Sequence, residues 1–234
     1  MNKTIEDAIR THAVAEYPRE CCGLIVIKNG RRKYLPCRNI AEGTEHFAID
    51  PEDYMHAEDR GQIVAIVHSH PNMTPEPSKA DLASCEDTGL PWIILSWPSN
   101  VFKEFTPTGF RAPLVGREYN HGAVDCYSIV RDYYRDALSL ELPNYYRTDE
   151  WWLKGQNLYE EHFKENGFIE VNDEIQVHDT FLMKLCSPVI NHAAIYVGDG
   201  MILQHCQHLL SSKDMYGGFW QKMTVKRVRH RSLV

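Results

Sequence analysis

The chain has 234 residues, 43% hydrophobic and 24% charged, with a formal net charge of −7 and seven cysteines. Its length predicts two domains rather than one, and its composition is too apolar for a disordered chain, while the evenly scattered charge argues against nucleic acid as the main partner. An odd number of cysteines without a Cys-x-x-Cys pair argues against a disulfide framework or a cysteine-closed zinc, and no apolar run approaches the ~18 residues of a membrane span.

The cysteine pattern predicts synthesis in a reducing cytosol, and the amphipathic start is unlike the basic-then-apolar layout of a signal peptide. Residues 4–15 place Ile5, Ala8, Ile9, His12 and Ala13 on one helical face, with Thr4 as N-cap and Pro18 as the stop. Residues 21–27 predict a strand, turned by Asn29-Gly30 into a partner at 32–37. Residues 46–49 predict a short strand and 51–60 a helix opened by Pro51. Residues 62–67, apolar and β-branched between Gly61 and Pro71, predict a buried strand with His68 and His70 at its exit. After the turn-rich stretch 72–77, Ser78 reads as an N-cap with Asp81 in the first helical turn. Strands at 92–97 and 101–105 close this module. Residues 107–120 lose all periodicity and predict a linker, giving modules at 1–110 and 121–234 with 111–120 between them.

From Cys126 the apolar positions Ile129, Val130, Tyr133, Tyr134 and Ala137 follow helical spacing. The aromatic stretch around Trp151, Trp152 and Tyr159 predicts a packed connecting segment. Residues 191–200 predict a strand entering an Asp199-Gly200 turn, and 201–206 its partner. Arg227, Arg229, His230 and Arg231 predict a solvated basic end.

His68 and His70, two apart on an extended segment, project to one face, and Asp81 can bring a carboxylate from a helix. Two imidazoles, a carboxylate and a water suit an open tetrahedral zinc site. Taken singly, the histidines read as satisfied polar groups, and Ser78 with Asp81 as a capping box. Cys21 and Cys22 read as small buried residues. The joint pattern of His68-x-His70, ten residues, then Asp81, with Ser78 three before it, resembles the JAMM (MPN-plus) metalloproteases. Pro18-Arg19-Glu20-Cys21-Cys22-Gly23 is similar to the setting of that family's general base. The resemblance implies an α/β domain hydrolysing an amide or isopeptide bond. Zn2+ would be held by His68, His70 and Asp81, Glu20 would carry the proton, and the Ser78 hydroxyl would meet the oxyanion.

Cys126 falls at a helix start, where the macrodipole favours thiolate, and His192 follows on a hairpin: nucleophile and base in papain-like order. Asp125-Cys126 and His192 with its hairpin resemble the NlpC-type cell-wall peptidases. That implies a papain-like α+β domain cutting peptidoglycan stem peptides, with a third, orienting residue on the next strand. A gap-free count puts Gln204 there, with His205 adjacent; His178-Asp179 stands where Gly-Asp is usual. The pairing of the two modules resembles tail assembly proteins of lambda-like siphophages. It implies synthesis in the host bacterial cytoplasm and action at the virion tail tip and in the periplasm. The implied partners are a peptidoglycan peptide and other phage tail-tip proteins, without nucleic acid or membrane insertion. Two hypotheses follow: a two-site hydrolase, or a structural tail-tip assembly protein whose sites are vestigial or bind partners. Bound zinc and murein release discriminate them.

Overall fold

In the computed structural model, which describes residues 1–44 and 46–234, the chain separates into two units, Met1–Phe110 and Arg111–Val234. The first begins with α1 (Lys3–Glu16), which starts earlier than its periodicity predicts because Asn2, not Thr4, is the N-cap and accepts from Ile5 N at 3.0 Å. Then come β1 (Cys22–Lys28), β2 (Arg31–Cys37), α2 (Pro51–Arg60), β3 (Gln62–Pro71), α3 (Lys79–Thr88), β4 (Trp92–Trp97) and β5 (Val101–Phe105). The sheet order is β2-β1-β3-β4-β5, with β3 and β4 parallel and the other pairs antiparallel. Alternate residues serve opposite faces. Ile25, Val67 and Leu95 pack with Ile5 and Ile9 of α1, whereas Leu24, Val26 and Ile66 pack with Ala57 of α2 and Cys85 of α3.

Two expectations for this unit need correction. His68 and His70 lie inside β3 rather than at its exit, because β4 pairs with it from Ile66↔Trp92 as far as Pro71↔Trp97. Polarity does not end a strand while its neighbour continues. Residues 46–49 form no strand, only an isolated bridge between Asn39 and Ile49. The Asn39 amide supplies what a ladder would: it accepts from Ala48 N at 3.1 Å and donates to His46 O at 3.3 Å and to Glu20 O at 3.0 Å.

The second unit contains α4 (Cys126–Leu138), α5 (Leu158–His162), β6 (Phe168–Glu170), β7 (Thr180–Met183), β8 (His192–Gly198), β9 (Met201–Gln204), β10 (Ser212–Met215), α6 (Gly218–Met223) and β11 (Thr224–His230). Its antiparallel sheet has the order β10-β9-β8-β7-β11-β6. Ile129, Val130, Tyr133 and Tyr134 of α4 pack onto Ala193, Ile195, Leu203 and Val228, the fully buried Ala193 letting the helix approach β8 closely. Residues 111–120, expected as linker, belong to this unit. Arg117 N donates to Ser211 Oγ at 3.0 Å, Ser211 N returns to Arg117 O at 3.1 Å, and the buried guanidinium reaches Asp132 at 2.6 Å. The missing periodicity marks an irregular segment that is nevertheless anchored.

His178-Asp179 also finds its reason. His178 has φ 78, the left-handed conformation glycine adopts most readily, and Tyr133 Oη at 2.8 Å from its Nδ1 helps hold it there. Asp179, fully buried, takes Arg229 Nε at 2.6 Å and Nη2 at 3.0 Å.

Candidate active sites

The first site is assembled by register. Cys22 stands opposite His68 in the β1–β3 ladder, and Cys21 N donates to Ser69 Oγ at 2.8 Å, so Glu20 is delivered beside the histidines. Gly23 is required here: a Cβ would lie 2.5 Å from Leu35 O and 2.6 Å from the Tyr34 ring. Glu20 is buried; burial raises its carboxyl, against the pull of His68 and His70.

His68, His70 and Asp81 each offer a ligand atom, and the three atoms lie within 4.8 Å of one another. His68 Nε2 and His70 Nε2 are 3.1 Å apart, Asp81 Oδ1 is 3.2 Å from the first and Oδ2 3.5 Å from the second. The ring orientations are enforced: Phe47 stacks on His68 at 4.6 Å and Trp92 meets it edge-on at 5.5 Å. His70 Nδ1 lies 2.8 Å from Thr74 O. A carbonyl only accepts, so Nδ1 carries the hydrogen and a neutral His70 presents a bare lone pair at Nε2. Two imidazole nitrogens and a carboxylate facing one another at these distances could hold a cation between them. The donor set fits zinc.

Asp81 serves two structures at once. Its Oδ2 accepts from Ser78 N at 2.7 Å while its own N–H reaches Ser78 Oγ at 3.1 Å, a reciprocal capping box that starts α3. Burial opposes its ionisation, but hydrogen bonds with His68, His70 and Ser78 hold the carboxyl well below the usual carboxylate range. Ser78 Oγ accepts in the cap and so keeps its own hydrogen to donate.

The second site gathers around Cys126, the first residue of α4. Its N-cap, Asp125, accepts from Tyr127 N at 3.0 Å and Ser128 N at 2.9 Å, and a buried Arg147 donates to it at 2.9 and 3.1 Å. The thiol lies 3.4 Å from Tyr159 Oη and 3.8 Å from Asn191 O. It lines a cavity of about 130 Å³ with Tyr119, Trp152, Tyr159, His192 and His205. The helix start is not the only influence on this thiol. Burial first, and then Asp125, push the Cys126 thiol up to about 12. The positive end of the helix is already spent on the Asp125 carboxylate.

His192, the first residue of β8, is buried; burial lowers it to about 4, so at neutral pH its ring is uncharged and able to take a proton. Trp220 of α6 stacks on it at 6.0 Å. Gln204 bears on the His192 ring closely enough to influence its protonation, while His192 Nε2 is buried without a fully formed hydrogen bond. His205 instead lines the cavity, edge-on to Tyr119 at 5.0 Å. Arg147 and Trp220 escape the sequence reading, which gives Tyr159 only a packing role. A buried N-cap aspartate demands a cation, but nothing local identifies Arg147, 22 positions away, as its source.

Two family models divide the chain: prokaryotic homologs of the JAB domain over residues 2–108 and the NlpC/P60 family over residues 116–229. The class is thus a two-module chain, an α/β domain of JAB type followed by an α+β domain of NlpC/P60 type. Tail tip assembly protein K of Escherichia phage N15 is 44% identical over 234 residues, covering 99% of this chain and 96% of that one. Tail tip assembly protein K of Escherichia phage lambda is 40% identical over 187 residues, covering 79% and 90%. The chain belongs to the tail tip assembly protein K family. Among solved structures, a protein from Desulfitobacterium hafniense is 27% identical, with a TM-score of 0.39 over 44% of this chain and 80% of its own.

Proposed function

We propose that this is a phage tail-tip protein with two amide-hydrolase sites: a zinc-dependent one at His68, His70 and Asp81, and a cysteine peptidase at Cys126 and His192 acting on peptidoglycan stem peptides. The observation that carries the reading is the convergence of three ligand atoms within 4.8 Å beside the buried carboxyl of Glu20. A bound zinc would lower the pKa of water toward ~7 and polarise the scissile carbonyl. In that site Glu20 takes a proton and delivers it to the departing nitrogen, and the Ser78 hydroxyl donates to the oxygen that gains charge.

In the second site a neutral thiol meets a neutral imidazole, so proton transfer accompanies attack rather than preceding it. Cys126 Sγ bonds to the substrate carbonyl carbon as its proton passes to His192. The C–N bond then breaks, with that proton going to the leaving amine, and water hydrolyses the thioester. The family names a tail tip assembly protein, which suggests other tail proteins as partners and the virion or host cytoplasm as the location. The test uses the purified full chain, elemental analysis and muropeptides. About one zinc per chain, with new amino ends released from muropeptides, is expected. A chain that takes up no zinc and leaves muropeptides intact overturns the proposal and favours a purely structural role.

A further inference from the structure

Three adjacent strands put His192, Gln204 and Asp214 on one face of the second sheet. Ala194 of β8 pairs with Gln204, and His192 lies two residues before it, on the same side. Gln204 of β9 pairs with Ser212 of β10, and Asp214 lies two residues after, again on the same side. The residues thus form a diagonal running from the imidazole to a carboxylate.

A glutamine side chain is ambiguous as an orienting group, since its two ends have nearly the same shape and opposite hydrogen-bonding character. Here two independent neighbours resolve the ambiguity. Gln204 Nε2 donates to Asp214 Oδ2, which also accepts from Ser212 Oγ at 2.9 Å. At the other end, Cys206 Sγ donates to Gln204 Oε1 at 3.0 Å; burial, and then Asp214, push this thiol up to about 11, so it remains a donor. Both demands point the carbonyl away from Asp214.

We propose that Asp214 is a positioning residue that fixes the orientation of the Gln204 amide, and through it the tautomer of His192. With Oε1 toward the ring, the nitrogen on the Gln204 side must carry the hydrogen and the other ring nitrogen keeps its lone pair. With the amide reversed, its N–H would select the opposite tautomer, and the lone pair needed to draw off the Cys126 proton would be lost. A carboxylate in place of the amide would need no such guide, because both of its oxygens accept. Asp214 is therefore the partner that a glutamine in this position requires.

The inference rests on the cysteine-peptidase reading for its consequence in catalysis, but not for its measurement. In the full chain labelled with nitrogen-15 at histidine, His192 in the wild type should show one neutral tautomer, hydrogen-bearing on the Gln204 side. Asp214→Ala should give a mixture of both. Adding Gln204→Glu to Asp214→Ala should restore the single tautomer, which a merely structural role for Asp214 would not predict. Asp214→Asn, close in shape, carries the same test if the alanine variant does not fold, since an amide can face Gln204 with either end and should also give the mixture. In muropeptide cleavage, kcat should fall about 10- to 100-fold in Asp214→Ala, with KM unchanged, and recover in the double variant. A single unchanged tautomer in folded Asp214→Ala or Asp214→Asn overturns the proposal, as does a double variant that stays mixed. If the tautomer shifts in the Asp214 variants as expected but the wild type cleaves no muropeptide, the peptidase reading alone is overturned.

Discussion

At the scale of single residues, the proposed metal ligands and the proposed proton carrier can be separated. Glu20 is buried beside the histidines but is not one of the three converging donors. Glu20→Gln should therefore keep its zinc and lose about 10²–10⁴-fold in amide cleavage. Parallel elemental analysis and peptide assays would show this, and cleavage at the wild-type rate would remove Glu20 from its role. His192 makes a second prediction, about pH. Its folded value near 4 lies below the ordinary 6.5, so between these the unfolded chain binds a proton that the folded chain does not. Stability of the second unit should fall as pH drops from about 6.5 toward 4, by an amount for His192 of order 3 kcal/mol, and stay level above that window. The lowered value of His205 acts in the same direction. Urea titrations across this range, with His192→Asn flattening the slope, would test it. The His68, His70 and Asp81 set was legible because its members are close in sequence. Asp214 and Arg147 were not, since strand register and a remote loop bring them in.

Elements tell a similar story. Strands β1 and β4 and helix α4 follow from apolar runs and helical spacing, and the structure keeps them. The errors arose where tertiary partners decide: β4 prolongs β3 through both histidines, and the Asn39 amide takes the place of a strand at 46–49. The start of α3 matters most to chemistry, because Asp81, which closes the capping box with Ser78, also faces the histidines. Ser78→Ala should cost about 1 kcal/mol of stability in the first unit and weaken zinc retention, because Asp81 loses half of its reciprocal cap. Thermal unfolding with and without added zinc measures both effects. At the start of α4, Arg147→Met strips Asp125 of its buried counter-charge and should cost about 3–5 kcal/mol. An unfolding midpoint equal to wild type would mean that the backbone N–H groups alone suffice for Asp125.

For the whole molecule, two units with separate cores predict two separable chemistries. Chelation with EDTA should abolish the metal-dependent activity and leave muropeptide cleavage intact. Cys126→Ser should do the reverse and leave zinc content unchanged. Loss of both activities in either experiment would show that the units do not act independently. The two-module layout was legible from length and from the two motif sets. The segment between them misled, because lack of periodicity was read as lack of anchorage, while Arg117 is among the most deeply buried side chains.

The ring stacked on His192 also turns the second site into an optical device. An imidazolium quenches a neighbouring indole far more than a neutral imidazole does, and Trp220 lies 6.0 Å from His192 at an interplanar angle of 24°. Emission from this one tryptophan, isolated as the difference between the wild type and Trp220→Phe, should dim on acidification with a midpoint near the His192 value of about 4. Ligands that alter the charge on the imidazole would shift that midpoint, so occupancy of the cavity could be followed by light without a labelled substrate.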